Sequence, residues 1–365
     1  SYWVTWVSYV PSEMIAAGII MNSFLPEVGT IWWAVLFGLL VTLLNLFRVD
    51  KFGESEFWLA LVKIIALVAF SAVALLICLG LIGDEGYIGT GILLGSGGFA
   101  PHGYASIALT MVIILVNFQG TEIIGLAAGE TADPARSIPT AVRNVTWRII
   151  ALYIIPITLL VSILPWDHAS LYKSVFAAAL AEHGFSHLGA LFSFVVLTAA
   201  LSCSNSGLYG AARTVHALAT MGMAPRALGG LSRKGIPSRA IYASIAFCWG
   251  VIALYALHPD AALYTYLLAL SGFSGAVAWI SICWSQYRRR RRLEAAGTVS
   301  LLRYRMPLFP YVTLFGIWAQ VLCLLFMAFT PELRSALYLG VPMLVVPMLL
   351  YRFLRRRRAH DIIEK

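Results

Sequence analysis

Long apolar stretches, each close to the roughly 20 residues that a membrane-spanning helix needs, follow one another along the chain with short polar connections. The stretches are continuous and do not alternate with period two, which favours helices over a β-barrel. We therefore predict an all-α, polytopic membrane protein with ten spans. The predicted spans cover residues 2–24, 30–47, 57–82, 104–129, 147–165, 188–212, 240–257, 261–287, 308–329 and 335–354.

The composition agrees with this prediction. Hydrophobic residues make up 60% of the 365 residues and charged residues 12%, and mean hydropathy is +0.83. Such a composition excludes a soluble enzyme, a disordered chain and a disulfide-rich secreted module. The five cysteines lie far apart in apolar runs, and no span carries a nucleophile or metal-ligand motif. We therefore expect no cofactor, no metal site and no enzymatic activity.

The net charge of +9 is arranged as in a membrane protein, not as in a nucleic-acid-binding protein. Of the 26 Lys and Arg residues, only Lys173 and Arg334 fall on one side of the predicted membrane, and Lys63 lies inside a span. The positive-inside rule therefore places the other side, with both ends of this chain, in the cytoplasm. The runs Arg288–Arg292 and Arg355–Arg358 are expected to bind anionic lipid headgroups.

Charged residues inside a span mark candidate functional sites, because each costs about 2.5–3.5 kcal/mol on insertion scales. The three candidates here are Glu13, Lys63 and Glu122. Glu122 ends the polar run 117–122, which interrupts the fourth span, and free carbonyls and amides at such an interruption can bind a small zwitterion. The alternative is a packing kink in which Glu122 bonds to a neighbouring helix.

Lys63 and Glu13 each allow two interpretations. Lys63 either extends to the cytoplasmic interface or is a buried amine that gains and loses a proton. Glu13 is either a structural counter-ion or faces the substrate path and attracts a cationic side chain. Runs of small polar residues at 201–210 and 271–275 suit either close helix packing or ion and proton sites.

Four motifs carry a family resemblance: residues 52–58 leading to Lys63, 118–122, 128–134 with Ile138-Pro139, and 201–209 with Arg213. They are similar to the amino acid permeases of the amino acid–polyamine–organocation (APC) superfamily. The resemblance covers essentially the whole chain and indicates the amino acid transporter family. Its later half, including residues 304–307, most resembles the bacterial S-methylmethionine-type permeases.

The resemblance implies a fold of twelve spans with two inverted five-helix repeats, as in the bacterial leucine transporter. Aligning the motifs places Ser1 at the start of the family's third helix, so we expect the first two helices to be missing. The chain is then a single transporter domain. Its parts are 1–82 (helices 3–5), 104–287 (the second repeat, helices 6–10), 308–354 (helices 11–12) and 355–365 (a basic cytoplasmic tail).

The family also implies roles for individual residues in proton-coupled amino acid import. Main-chain carbonyls of the interrupted span meet the substrate ammonium, with Phe118 as a lid, and Lys63 occupies the position that sodium takes in other members. The substrate-binding candidates are Phe118, Gln119, Gly120, Thr121, Glu122, Glu13 and Ser271. The proton-coupling candidates are Lys63, Ser202 and Asn205.

The expected partners are an amino acid, protons and anionic lipids, without nucleic acid, in a bacterial inner membrane. Glu13 and the S-methylmethionine resemblance favour a cationic or sulfur-bearing amino acid. Exchange through the same pocket is an alternative to proton symport. A further alternative is a non-transporting fragment: residues 1–365 alone are expected not to transport if the first two helices are absent. A membrane receptor has no support, because the loops are too short for a sensory domain.

Overall fold

A computed structural model describes residues 1–46, 49–83, 86–95, 97–126, 133–169, 174–233, 235–258, 261–302 and 304–363. Within these ranges every regular element is helical. Motif residues 128–132 and the cations Arg48, Lys173, Lys234, Arg303 and Lys365 lie outside the described residues. The helices are α1 (Tyr2–Phe24), α2 (Thr30–Asn45), α3 (Val49–Cys78), α4 (Gly91–Gly95), α5 (Tyr104–Val116), α6 (Ile123–Leu126), α7 (Pro134–Ile149), α8 (Ile155–Ile163), α9 (Val175–Glu182), α10 (Ser186–Thr220), α11 (Ser238–Leu257), α12 (Ala261–Ala295), α13 (Tyr311–Met327) and α14 (Pro331–Ile363).

The predicted spans coincide with these helices, which confirms the all-α prediction. Three of the predicted spans correspond to apolar helices that are shorter than a typical span, namely α2, α13 and Ala336–Leu349 of α14. The predicted span 104–129 is divided between α5 and α6. The total of ten spans stays a prediction. Six segments of the described chain are long and apolar enough to cross a membrane: Tyr2–Phe24, Glu56–Cys78, Arg136–Ile163, Ser186–Thr220, Ser238–Leu257 and Leu263–Ala295.

The fifth predicted span starts earlier in the structure than its apolar run, which begins at residue 147. Asp133 caps the N-terminus of α7 by accepting a hydrogen bond from the amide of Arg136 at 3.3 Å, and Pro134 occupies the first helical turn. The helix then continues through a π-helical turn, Ile150–Ile154, into α8. The polar α7 is therefore joined directly to the apolar segment, because a good cap initiates the helix before the apolar run starts.

Helix α1 is the central helix of the described structure. It packs against α2, α10, α11 and α12, and most of its side chains are buried or half-buried. Trp6, Val10 and Met14 of α1 form a core with Leu208 of α10 and Ile245 of α11. This packing fixes the position of α1 relative to α10 and α11.

A second core fixes α3 against α8, α9 and α10. Its centre is Phe70, which is fully buried and meets Phe176 and Phe192 edge-on, with ring centroids 4.9 and 5.6 Å apart. Aromatic pairs prefer this geometry because the positive ring edge faces the negative ring face. The face of α3 that carries Phe70 is thereby held on α10, and a third core joins α12 to α13 and α14.

Large apolar side chains cover the outside of the helices. On α2, Leu36, Leu39, Leu40 and Leu43 are all exposed. A contiguous exposed apolar face of this kind indicates contact with another apolar phase. Together with the apolar helices, it supports a multi-pass membrane protein.

The contact between α1 and α10 depends on a glycine and provides a first test. A Cβ added at Gly207 would lie 2.8 Å from both Trp6 Cε3 and Val10 Cγ2. Gly207→Ala is expected to lower the thermal unfolding midpoint in detergent, because overpacking costs about 1–3 kcal/mol. Gly250→Ala is the matched control, since Gly250 lies in α11 and has no neighbour within 4 Å of an added Cβ. Equal midpoints for the two variants would contradict the close α1–α10 contact.

Candidate functional site

The helix break, residues 117–122 between α5 and α6, lies where the polar run predicts it. Gly120 has φ +104°, a value that favours glycine because it lacks a Cβ. The amides of Asn117 and Phe118 bond back to α5 at 3.0 and 3.1 Å, and the amide of Ile123 donates to the carbonyl of Gly120 at 3.2 Å. The predicted interruption of the fourth span is confirmed.

Glu122 fastens the helix break to two other helices. One carboxylate oxygen accepts from the Tyr2 hydroxyl of α1 at 3.0 Å, and the other accepts from Trp279 Nε1 of α12 at 3.1 Å. The Gly120 amide lies 3.2 Å from both oxygens. These bonds are the ones that the packing alternative expects, and a role of Glu122 toward a substrate stays a prediction. Tyr2 and Trp279 were not predicted, because their sequence spacing gives no sign that they meet.

Gln119 joins the helix break to α12 through Ser271. The Gln119 amide donates to the Ser271 carbonyl at 3.2 Å and its oxygen accepts from the Ser271 hydroxyl at 3.2 Å. Ser271 also lies 3.1 Å from the Thr5 carbonyl of α1. A Cβ at Gly275 would collide with the Gln119 amide, so the small residue in the run 271–275 makes room for this contact. The structure therefore places two predicted site residues, Gln119 and Ser271, together.

Phe118 is held by the next helical segment. Its ring stacks on Tyr153, with centroids 5.2 Å apart and an interplanar angle of 20°, and the Tyr153 hydroxyl donates to the Asn117 carbonyl at 3.1 Å. Tyr153 lies in the π-helical turn, and single π-helical turns occur frequently at functional sites. Thr121 is exposed at the break, with its hydroxyl 3.4 Å from the Phe118 carbonyl.

Glu13 lines a cavity of about 350 Å³ between α1, α10 and α12. Asn117 of the helix break, Cys203 of α10 and Tyr264 of α12 line the same cavity. The side chain of Glu13 is partly buried. Its place in this lining is compatible with the interpretation in which it faces the substrate path, and that role stays a prediction. The full lining is Tyr9, Glu13, Ala16, Ile19, Ile20, Asn117, Ser174, Val175, Phe176, Val196, Ala199, Ala200, Cys203 and Tyr264.

Lys63 belongs to a partly buried polar network between α3, α10 and α2, called here the Lys63 network. Its Nζ donates to the Ser202 hydroxyl at 2.8 Å, and that hydroxyl donates to Glu56 at 2.6 Å. The other Glu56 oxygen accepts from the Asn205 amide at 2.7 Å, and the Asn205 oxygen accepts from Asn45 at 2.7 Å. The structure thus joins the three predicted proton-coupling residues, Lys63, Ser202 and Asn205. Sequence analysis missed Glu56, whose signal was its position seven residues before Lys63, on the same face of a helix.

The cavity lies between the helix break and the Lys63 network. Asn117, the first residue of the break, lines it, and so does Cys203, which follows Ser202 of the network. Of the predicted substrate-binding residues only Glu13 is among the lining residues; Phe118–Glu122 and Ser271 are not. In the described part of the chain, no three His, Cys, Asp or Glu side chains gather as a metal site would require.

The basic run Arg288–Arg292 lies in the last turns of α12. Arg290 and Arg291 approach Glu294 at 3.1 and 3.7 Å. A cleft of about 370 Å³ beside the run is lined by Trp284, Tyr287, Arg288, Arg291, Arg292 and Ala295. The side chains of Arg355–Arg358 lie outside the described residues, although α14 continues through that segment.

Comparison with known proteins gives a consistent result. The family described as Amino acid permease matches residues 1–364. The chain is 35% identical to the amino-acid permease RocC of Bacillus subtilis, over 100% of this chain and 78% of that protein. It is 34% identical to the gamma-aminobutyric acid permease of Bacillus subtilis (99% and 76%) and 34% identical to the lysine-specific permease LysP of Escherichia coli (97% and 76%).

The backbone of the helix break gives a second test. A Cβ at Gly120 would find space, since the nearest atom, Trp6 Cη2, would be 3.9 Å away, but its positive φ would be strained. Gly120→Ala is therefore expected to destabilise the protein by about 1–3 kcal/mol and lower its thermal midpoint. Gly125→Ala in α6, with no atom within 4 Å of an added Cβ, serves as the control. If both variants melt together with the wild type, the left-handed conformation at Gly120 is not required.

Proposed function

Since this chain belongs to the amino acid permease family of the APC superfamily, and is thus a transporter of amino acids and not an enzyme, we propose that it imports its substrate by proton symport. The proposed location is the inner membrane of a bacterium, with both ends of this chain in the cytoplasm. The orientation follows from the distribution of Lys and Arg. The proposed division into inverted repeats follows from the family resemblance.

The observation that carries the proposal is the cavity between the helix break and the Lys63 network. Its volume of about 350 Å³ lies in the usual range for small-molecule sites, and its walls combine apolar side chains with a few polar groups. Broken helices in transporters present peptide groups to the charged ends of a substrate. In this proposal, peptide groups at Asn117, the end of the break that lines the cavity, meet the charged groups of the substrate, and Gln119 and Ser271, which bond to each other outside the lining, hold the break in position.

Glu13 is the proposed determinant of the substrate side chain. It is an acidic residue in the lining of the cavity. It lies farther along α1 than Tyr2, which bonds to the break. A carboxylate there attracts a cationic group, and one relative is named for lysine. We therefore expect a cationic amino acid, or a sulfur-bearing one with a positive charge, to be the preferred substrate.

Lys63 is the proposed proton-coupling residue. Its ammonium group is joined to α10 through Ser202, and α10 also lines the cavity. Loss of the proton from Lys63 weakens its contact with Ser202 and so shifts the preference between conformations of the bundle. Anionic lipids at Arg288–Arg292 are a further proposed partner, supported by the cleft that basic and aromatic side chains form there.

The proposed function is tested by uptake of the labelled amino acids into proteoliposomes that contain the protein expressed from its complete gene. An acidic outside medium is expected to drive accumulation of one or a few of them, with lysine among the effective competitors. Failure of every amino acid to compete would contradict the proposal. Substrate-driven efflux that does not depend on a pH gradient would show that the protein is an exchanger and not a proton symporter.

The role of Lys63 gives a third test. Lys63→Met removes the charge and the titratable amine while keeping a flexible side chain of similar length. Accumulation driven by a pH gradient is expected to be lost, while exchange of internal for external substrate continues. Both are measured in the same vesicles. Undiminished accumulation by Lys63→Met would show that the role given to Lys63 is wrong.

The role of Glu13 gives a fourth test. Glu13→Gln is expected to raise KM for lysine on the order of 10-fold or more, because a hydrogen bond to a charged group contributes about 1.5–3 kcal/mol. KM for a neutral amino acid that the protein also accepts should change little. The control is Glu27→Gln, an exposed carboxylate in the loop after α1. An equal change in KM for both substrates would contradict a side-chain contact with Glu13.

A further inference from the structure

Glu56 lies at the centre of the Lys63 network. It lies two turns before Lys63 on α3, and each of its carboxylate oxygens has a donor on α10. Ser202 and Asn205, which supply those donors, are each only 1% exposed. Glu56 itself is partly buried, and removing part of a carboxylate from water costs free energy unless it has a specific role or partner. Its partner across Ser202 is the ammonium group of Lys63.

The direction of the hydrogen bonds in this network is fixed by the chemistry of its members. An ammonium group can only donate and an ionised carboxylate can only accept, whereas a hydroxyl donates one hydrogen and accepts others. Ser202, which lies 2.8 Å from Lys63 Nζ and 2.6 Å from Glu56 Oε2, must therefore accept from the lysine and donate to the carboxylate. All hydrogens point from Lys63 toward Glu56.

Asn205 and Asn45 hold the carboxylate in this position. The Asn205 amide donates to Glu56 Oε1 at 2.7 Å, and Asn45 donates to the Asn205 oxygen at 2.7 Å. Asn45 also donates to the Val41 carbonyl of its own helix at 3.1 Å. These bonds fix the Asn205 amide with its nitrogen toward Glu56. The carboxylate is thereby oriented with Oε2 toward Ser202.

We propose that Glu56 is the proton acceptor of Lys63, with Ser202 as the bridge. This step rests on the proposed symport function. One Lys63 N–H bond breaks as an O–H bond forms on Ser202, and the original Ser202 hydrogen moves to Glu56 Oε2. Ammonium and carboxylate become amine and carboxylic acid, so the total charge of the pair does not change. The backbone of Glu56 lies seven residues, about 10 Å along α3, nearer than that of Lys63 to the end expected in the cytoplasm, which is the direction required for import.

The surroundings of the pair contain few competing groups. Cys203 of α10 interacts electrostatically with Glu13, Lys63 and Glu56, so Glu13 is a second carboxylate in this neighbourhood, although Glu56 is the one that shares the Ser202 hydroxyl with Lys63. Helix α8, which also packs on α3, has no titratable side chain, and the π-helical turn contributes only Tyr153. Within the described chain, Glu56 is therefore the carboxylate that the structure connects to Lys63.

The test compares Glu56→Gln with the wild type in proteoliposomes that contain the protein from its complete gene. Three quantities are measured: accumulation of labelled lysine (or of the amino acid taken up fastest) under a pH gradient, proton entry by an internal pH dye, and exchange in preloaded vesicles at equal pH. Glu56→Gln is expected to reduce accumulation and proton entry on the order of 100-fold, the lower end of what a positioned acid–base group contributes. Exchange should continue.

Glu54→Gln is the matched control, because Glu54 is exposed on the same helix, and it should keep all three activities. Ser202→Ala, which removes the bridge but neither charge, is expected to reduce proton entry while exchange continues. Normal proton entry in Glu56→Gln, or loss of exchange together with accumulation, would overturn the role of Glu56. A wild-type protein that exchanges substrate without proton entry would instead contradict the symport proposal itself.

Discussion

A helix that is interrupted inside a membrane must have its free peptide groups covered by protein, because hydrocarbon offers them no hydrogen bonds. In this chain the Asn117 carbonyl accepts from Tyr153 and the Gly120 amide donates to Glu122, while α1 and α12 hold the side chains of the break in place. Tyr2 and Trp279 hold Glu122, and Ser271 holds Gln119. The close packing of α1 on α10 then fixes the distance from the break to the rest of the bundle. The polar break, the buried α1 and the small residues on α10 and α12 therefore depend on one another, because each is needed to hold the break inside the helix bundle.

The same packing relates the helix break to the Lys63 network. Helix α10 contributes Ser202 and Asn205 to the network and Cys203 to the cavity lining. Helix α1 contributes Glu13 to the cavity and Tyr2 to the break. A ligand in the cavity thus contacts α10, which carries part of the Lys63 network, and α1, which bonds to the helix break through Tyr2. Binding that favours one arrangement of these helices also changes the environment of Lys63, which is what coupling requires.

Much of the fold could be predicted from the sequence, because long continuous apolar stretches are a strong signal for membrane-spanning helices. The break was visible as the polar run 117–122 with a glycine. The extension of the fifth span back to Pro134 could not be predicted from hydropathy, because its cap lies outside the apolar run. The predicted residues Lys63, Ser202 and Asn205 meet as expected from the family resemblance. Glu56 could have been found from its seven-residue spacing, but Tyr153 and Trp279 could not, because only tertiary packing brings them to the break.

The central claim is that the substrate occupies the cavity between the helix break and the Lys63 network. The most direct measurement is an experimental structure of the protein with its transported amino acid bound. We expect ligand density in contact with the break at Asn117 and with Glu13, next to Cys203. Density for the amino acid outside this cavity would contradict the central claim.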